Sequence, residues 1–126
     1  MQQLYIQKSN MKYTESEKRP WGSFHVIQDE KNYKLKRIEV NIGKRLSYQY
    51  HKKRSETWII IQGQATVNID GKIEKYNKGQ TVIIPKGAKH RVANNESTKL
   101  VFIEVQTGSY FGEDDIVRIE DDFNRK

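Results

Sequence analysis

The chain has 126 residues and a formal charge of +7, enough for one core and short for two. Lys and Arg are scattered from Lys8 to Lys126 without helix-turn-helix, zinc-finger or RNA-binding signatures, so nucleic acid is not expected as a partner. Cysteine is absent and no apolar stretch resembles a leader or approaches the length of a bilayer span, so disulfide chemistry and a membrane partner are excluded and a cytoplasmic protein is expected.

Hydrophobic residues make up only 35% of the chain, so the segments with regular apolar spacing must supply the core. Residues 1–18 are polar and poorly periodic and read as a flexible segment, with Leu4–Gln7 as a candidate edge strand. Arg19-Pro20-Trp21-Gly22 opens a single domain over 19–126, because Pro and Gly punctuate the chain and Trp needs a core to enter. Strands are expected over Ser23–Gln28 and Tyr33–Ile42, on either side of the polar turn Asp29–Asn32. In the second of these, Lys34, Lys36, Ile38 and Val40 share one face. Leu46–His51 and Thr57–Gln62 follow as strands, and Asp70-Gly71 between Ala65–Ile69 and Ile73–Tyr76 is a strong hairpin signal. Gln80–Ile84, His90–Ala93 and Leu100–Gln106 complete a series of short strands, while Asp114–Glu120 reads equally as strand or helix. The pattern predicts an all-β barrel or sandwich.

Chemistry concentrates in two places. Gln49 and His51 stand two apart and share a strand face, and Glu56 follows a short polar turn. Pro85 and Gly87 turn the chain ahead of His90. An amide oxygen, two imidazoles and a carboxylate make a first shell for one divalent ion, for which zinc fits best, with iron, manganese, nickel or cobalt as alternatives. Glu104 shares a face with Leu100 and Phe102, and a carboxylate desolvated there would be raised in pKa and suited to proton transfer. Arg54, in the turn beside the metal, is a candidate phosphate clamp. Lys53 and Lys89 are expected at the same mouth as further substrate-binding residues; Arg91 is a weaker candidate, since strand parity aims it away from the lumen. His25 has no ligand-type partner at useful spacing and reads as structural; Trp21 and Trp58 read as core.

These residues also carry a resemblance. Gly43, Gln49, His51, Glu56 and Gly63 match the first cupin motif, with Gln49 in place of its first His, and Gly79, Pro85, Gly87, His90 and Asn94 match the second in every spacing. With RPWG at Arg19–Gly22, YQYHKKRSETW at Tyr48–Trp58 and the tail from Ile103 to Arg125, the chain resembles the cupin domain of type II mannose-6-phosphate isomerases. In many of those proteins the domain follows a sugar-nucleotide transferase domain, to which nothing in these residues corresponds. The resemblance implies a cupin-type double-stranded β-helix, a jelly-roll barrel, that commonly pairs as a homodimer. It also implies a metal-dependent isomerase interconverting mannose 6-phosphate and fructose 6-phosphate, with Glu104 as base and Tyr110 and Arg118 helping to close the site. The alternatives are a non-catalytic sugar-phosphate-binding cupin and a cupin dioxygenase.

Overall fold

The computed structural model describes residues 13–125, which form strands and connecting turns without a helix. In chain order the strands are β1 (Glu15–Arg19), β2 (Gly22–Asp29), β3 (Tyr33–Val40), β4 (Tyr48–Tyr50), β5 (Arg54–Gln62), β6 (Gln64–Ile69), β7 (Lys72–Asn77), β8 (Thr81–Ile84), β9 (His90–Ala93), β10 (Leu100–Gly108) and β11 (Val117–Glu120). β1 begins at Glu15, inside the segment expected to be flexible, while Leu4–Gln7 lies outside the described residues. The undecided stretch 114–120 resolves as a turn followed by β11.

Two antiparallel sheets face each other, one of six strands in the order β1-β2-β3-β10-β5-β8 and one of five in the order β11-β4-β9-β6-β7. Alternation decides which side chains enter the space between them. In β3 the inward set is Lys34, Lys36, Ile38 and Val40, and in β10 it is Leu100, Phe102, Glu104 and Gln106, all buried. The core packs Phe24, Val26, Val40, Trp58, Ile60, Val67, Val82, Ile84, Val92, Leu100 and Phe102. Both tryptophans are buried as expected, Trp21 at 5% and Trp58 at 2% exposure.

The Asp70-Gly71 hairpin joins β6 and β7 with Ile69 opposite Lys72. Both turn residues have positive φ, 50° and 91°, the geometry that matches the strands' twist. Asp70 also ties this turn to the segment before His90, donating from its N to Lys89 O and accepting Lys89 N–H at Oδ1. Asn94 anchors the other side: its amide donates to Val40 O and Thr98 O, and its backbone exchanges hydrogen bonds with Gly43 and Lys44.

Gly108 bears directly on the site. Its φ is +151°, and a Cβ there would lie 2.2 Å from Lys53 O and 2.8 Å from Arg54 Cα, where β5 begins. Gly108→Ala is therefore expected to destabilise the fold by at least about 1–3 kcal/mol and to disturb the start of β5. Urea unfolding of the variant, read by tryptophan fluorescence, measures the cost.

Candidate metal centre

Four side chains converge where the two sheets come together. Gln49 is the middle residue of β4, and His90, the first residue of β9, is its direct cross-strand partner. His51 follows the end of β4, and Glu56 comes from β5 in the other sheet. A two-residue turn at Lys52-Lys53 connects the sheets, shorter than the polar insert Lys52–Ser55, and it passes the chain from one sheet to the other instead of closing a hairpin. One donor atom from each of His51, Glu56 and His90 lies within 4.8 Å of the others, and all three residues are buried.

The hydrogen bonds behind the imidazoles decide whether the set fits a metal. His51 Nδ1 faces Asp115 O at 2.6 Å, and His90 Nδ1 faces Ala88 O at 2.9 Å. A carbonyl only accepts, so each Nδ1 carries the proton and each Nε2 presents a lone pair. This is the arrangement by which outer partners orient metal-binding histidines. The amide nitrogen of Gln49 donates to Ser47 Oγ at 2.9 Å, which leaves its oxygen as the group for a cation. The residues fit a divalent ion: two imidazoles, an amide oxygen and one carboxylate.

Glu56 is 3% exposed. Trp58 Nε1–H donates to its Oε1 at 3.0 Å and Arg54 Nε–H to its Oε2 at 2.9 Å, while His51 Nε2 lies 3.3 Å from Oε2. Burial alone would raise this carboxyl's pKa, but Arg54 and then His51 and His90 outweigh it and hold the group well below the usual range. Burial lowers His51, with Glu56 opposing, so its imidazole is neutral near pH 7. Glu104 shows the opposite balance. Burial first and the charge of Glu56 second push it well above the usual carboxylate range, and its neutral form shares a hydrogen bond with Glu56. Gln106 Nε2 donates to Glu104 Oε2 at 2.6 Å.

The remaining candidates divide. Arg54 lies in the pocket but not in the turn: it is the first residue of β5, 6% exposed and bound to Glu56. Lys53 and Lys89 are corrections. Both are exposed and outside the pocket lining; Lys53 sits over the Tyr110 ring, and Lys89 is fixed through its backbone to Asp70. Arg91 does line the pocket, against the expectation from strand parity, but its guanidinium donates to Leu46 O and Glu120 O. Arg118 lines the pocket, whereas Tyr110 is exposed and outside it. His25, against Ser16, Ser23 and Glu39, is remote from the site, as expected.

Several pocket residues were not among the site candidates read from the sequence. Lys36 is 2% exposed, stands opposite Glu104 in the β3–β10 register, lies 4.2 Å from the centre of the Phe24 ring and pairs with Glu113. Arg19, Glu113 and Arg125 complete the charged wall. Alternation already placed Lys36 on the face of Ile38 and Val40, and that burial was its one readable signal.

Facing sheets with a His–Glu–His cluster between them define a cupin. Solved structures agree on the fold: oxalate decarboxylase from Bacillus subtilis is 20% identical with a TM-score of 0.74 over 84% of this chain and 30% of that chain. An RmlC-like cupin from Shewanella frigidimarina is 20% identical with a TM-score of 0.69, over 80% and 87% of the two chains. The chain belongs to the family described as mannose-6-phosphate isomerase C-terminal, which matches residues 6–121. It is 44% identical over 107 residues to the alginate biosynthesis protein AlgA of Pseudomonas aeruginosa and 41% identical to the mannose-1-phosphate guanylyltransferase ManC of Salmonella typhimurium. In both cases the match takes in 85% of this chain and 22% of the relative, so the chain spans about a fifth of their length.

These relatives overturn the expected function. Those named for an activity are mannose-1-phosphate guanylyltransferases, and others are named for alginate or xanthan biosynthesis; none of these names states interconversion of mannose 6-phosphate and fructose 6-phosphate. The relatives are enzymes, and the isomerase reading rested on a domain that forms the smaller part of them. Among the described residues no helix is long and apolar enough to cross a membrane.

The raised pKa of Glu104 has a measurable sign. Folded protein keeps a proton that the unfolded chain releases above 4.5, so this group lowers stability as pH rises from 4.5 through its raised folded value. Metal-free wild type is expected to lose stability relative to Glu104→Gln across that window, with no further divergence above it. Urea midpoints measured at a series of pH values test this.

Proposed function

We propose that this chain is a metal-binding cupin domain whose pocket takes a phosphorylated hexose, in the mannose-phosphate metabolism that its relatives' names describe. The observation that carries the reading is the buried His51–Glu56–His90 cluster, with Gln49 beside it, at the bottom of a pocket walled by Arg19, Lys36, Arg54, Arg91, Arg118 and Arg125. Zinc suits this donor set best; bound there, it would polarise a hydroxyl or carbonyl oxygen of the ligand.

The chain's own residues supply the rest. The pocket lining holds six cations against two ionised carboxylates, Glu56 and Glu113. Although Glu17, Glu120 and Asp121 pair with Arg19, Arg91 and Arg125 from outside it, that lining favours an anionic ligand. Glu104, neutral at pH 7 and hydrogen-bonded to Glu56, holds a proton that it can give to a ligand oxygen and take back. Glu113, about two-fifths exposed and paired to buried Lys36, stands on the solvent side. Trp21, Phe24 and Ile38 add apolar wall and limit the water around the ligand.

Purified protein loaded with zinc is expected to hold one ion per chain by elemental analysis and to bind mannose 1-phosphate at least about tenfold more tightly than mannose. His51→Ala should lose the metal while keeping its strand content by circular dichroism. Zinc at background level in wild type, or equal calorimetric affinity for the sugar with and without phosphate, would overturn the reading.

We also propose that the outer face of the six-stranded sheet pairs with a second copy. Ile59, Ile61 and Ile83 are exposed there at 41%, 42% and 66%, and Ile103, opposite Ile59, continues the row half-buried. Exposed apolar rows of this kind mark interfaces. Strand alternation puts Val101 and Val105 on the same face as Ile103; Val105 is half-buried there, while Val101 is buried at 3% beside the irregularity at Val101/Phe102 and adds little. Light scattering at micromolar concentration should give twice the chain mass, and Ile59→Lys with Ile83→Lys should return it to the monomer.

A further inference from the structure

Arg54 sits inside the ligand set. Its Nε–H donates to Glu56 Oε2 at 2.9 Å, and its Nη2 lies 3.3 Å from His51 Nε2. Because His51 Nδ1–H is committed to Asp115 O, Nε2 accepts the hydrogen bond from Arg54 with its one lone pair. A divalent ion needs that same lone pair. Nη1, the remaining nitrogen of the guanidinium, is buried with no hydrogen-bond partner among the described residues, in a side chain only 6% exposed. A buried donor left unpaired costs stability unless a ligand completes it.

We propose that Arg54 is a built-in stand-in for the metal, that metal entry displaces its Nη2 from His51, and that the freed guanidinium becomes the anion-binding group of the pocket. This rests on the metal reading above and adds to it a coupling between the two ligands. Without metal, the guanidinium balances Glu56 and occupies His51. With metal, its Nη atoms are released toward a pocket that also contains Arg19 and Arg118, and an anion can take them. Each ligand therefore strengthens the other by the same factor. The planar fork is essential, since a lysine ammonium can hold Glu56 but cannot also span to His51 Nε2.

The test uses Co²⁺, followed by its visible absorption, and inorganic phosphate, followed by calorimetry, on wild type, Arg54→Lys and Arg54→Gln. Phosphate is expected to tighten Co²⁺ binding to wild type by about fivefold or more, and Co²⁺ to tighten phosphate binding equally. Arg54→Lys keeps the charge but loses the competing hydrogen bond, so it should bind Co²⁺ about tenfold more tightly than wild type and lose the coupling. Arg54→Gln should lose the coupling as well; if it fails to fold, Arg54→Lys carries the result alone. Co²⁺ affinity of Arg54→Lys equal to wild type overturns the exchange, as does coupling that survives intact in the folded variants, which would mean that phosphate binds the metal directly. Wild type that takes up no Co²⁺, or no more than His51→Ala, overturns the metal reading itself.

Discussion

Glu56 is an ionised carboxylate in the interior of a small β protein, and the chemistry around it follows from keeping it charged. Isolated, such a group would take up a proton rather than remain an anion in a low-dielectric site. Here Trp58 and Arg54 each occupy one oxygen and two imidazoles stand close by. Burial, and then the same charge, act on its neighbour: Glu104, on the adjacent strand, is pushed well above the usual carboxylate range and favours its protonated form at neutral pH. Two carboxyls of identical intrinsic chemistry are thus driven to opposite protonation states by position alone, one suited to a cation and the other to holding a proton.

That arrangement needs both sheets. Glu56 and Glu104 belong to the six-stranded sheet, while Gln49 and His90 belong to the five-stranded one. The hinge between them is the Lys52-Lys53 turn, whose two backbone N–H groups are held by the Asp115 carboxylate at 3.0 and 2.9 Å. The carbonyl of the same residue fixes the ring of His51. A single residue of the C-terminal segment therefore sets both the path of the chain and the tautomer of a ligand.

Much of this was legible in the sequence because it depends on local spacing. Period-two alternation put Lys36 with Ile38 and Glu104 with Phe102, and Asp70-Gly71 marked its hairpin. The metal set was readable because turns in the chain deliver Glu56 and His90 close to Gln49 and His51. What escaped depends on contacts between distant segments. The Asp115–His51 bond spans 64 residues and the Lys36–Glu113 pair 77, and neither leaves a periodic trace. Arg54 was misplaced for a different reason: Lys52 to Ser55 looks uniformly polar, and nothing in that composition shows that the turn closes after two residues and sends the third inward. Lys53 and Lys89 were assigned by nearness along the chain, which a tight turn does not convert into nearness to the pocket.

The dependence of His51 on Asp115 orders events during synthesis. A chain emerging from the ribosome can pair β5 with β8 and β6 with β7 well before residue 115 has left the exit tunnel. Until then the ring of His51 has no fixed tautomer and its turn has no carboxylate to hold it. The oriented His51 ring and the held turn exist together only after the C-terminal segment has crossed back to pair β11 with β4. A metal held by this cluster would therefore find its complete set of oriented ligands only in the finished fold.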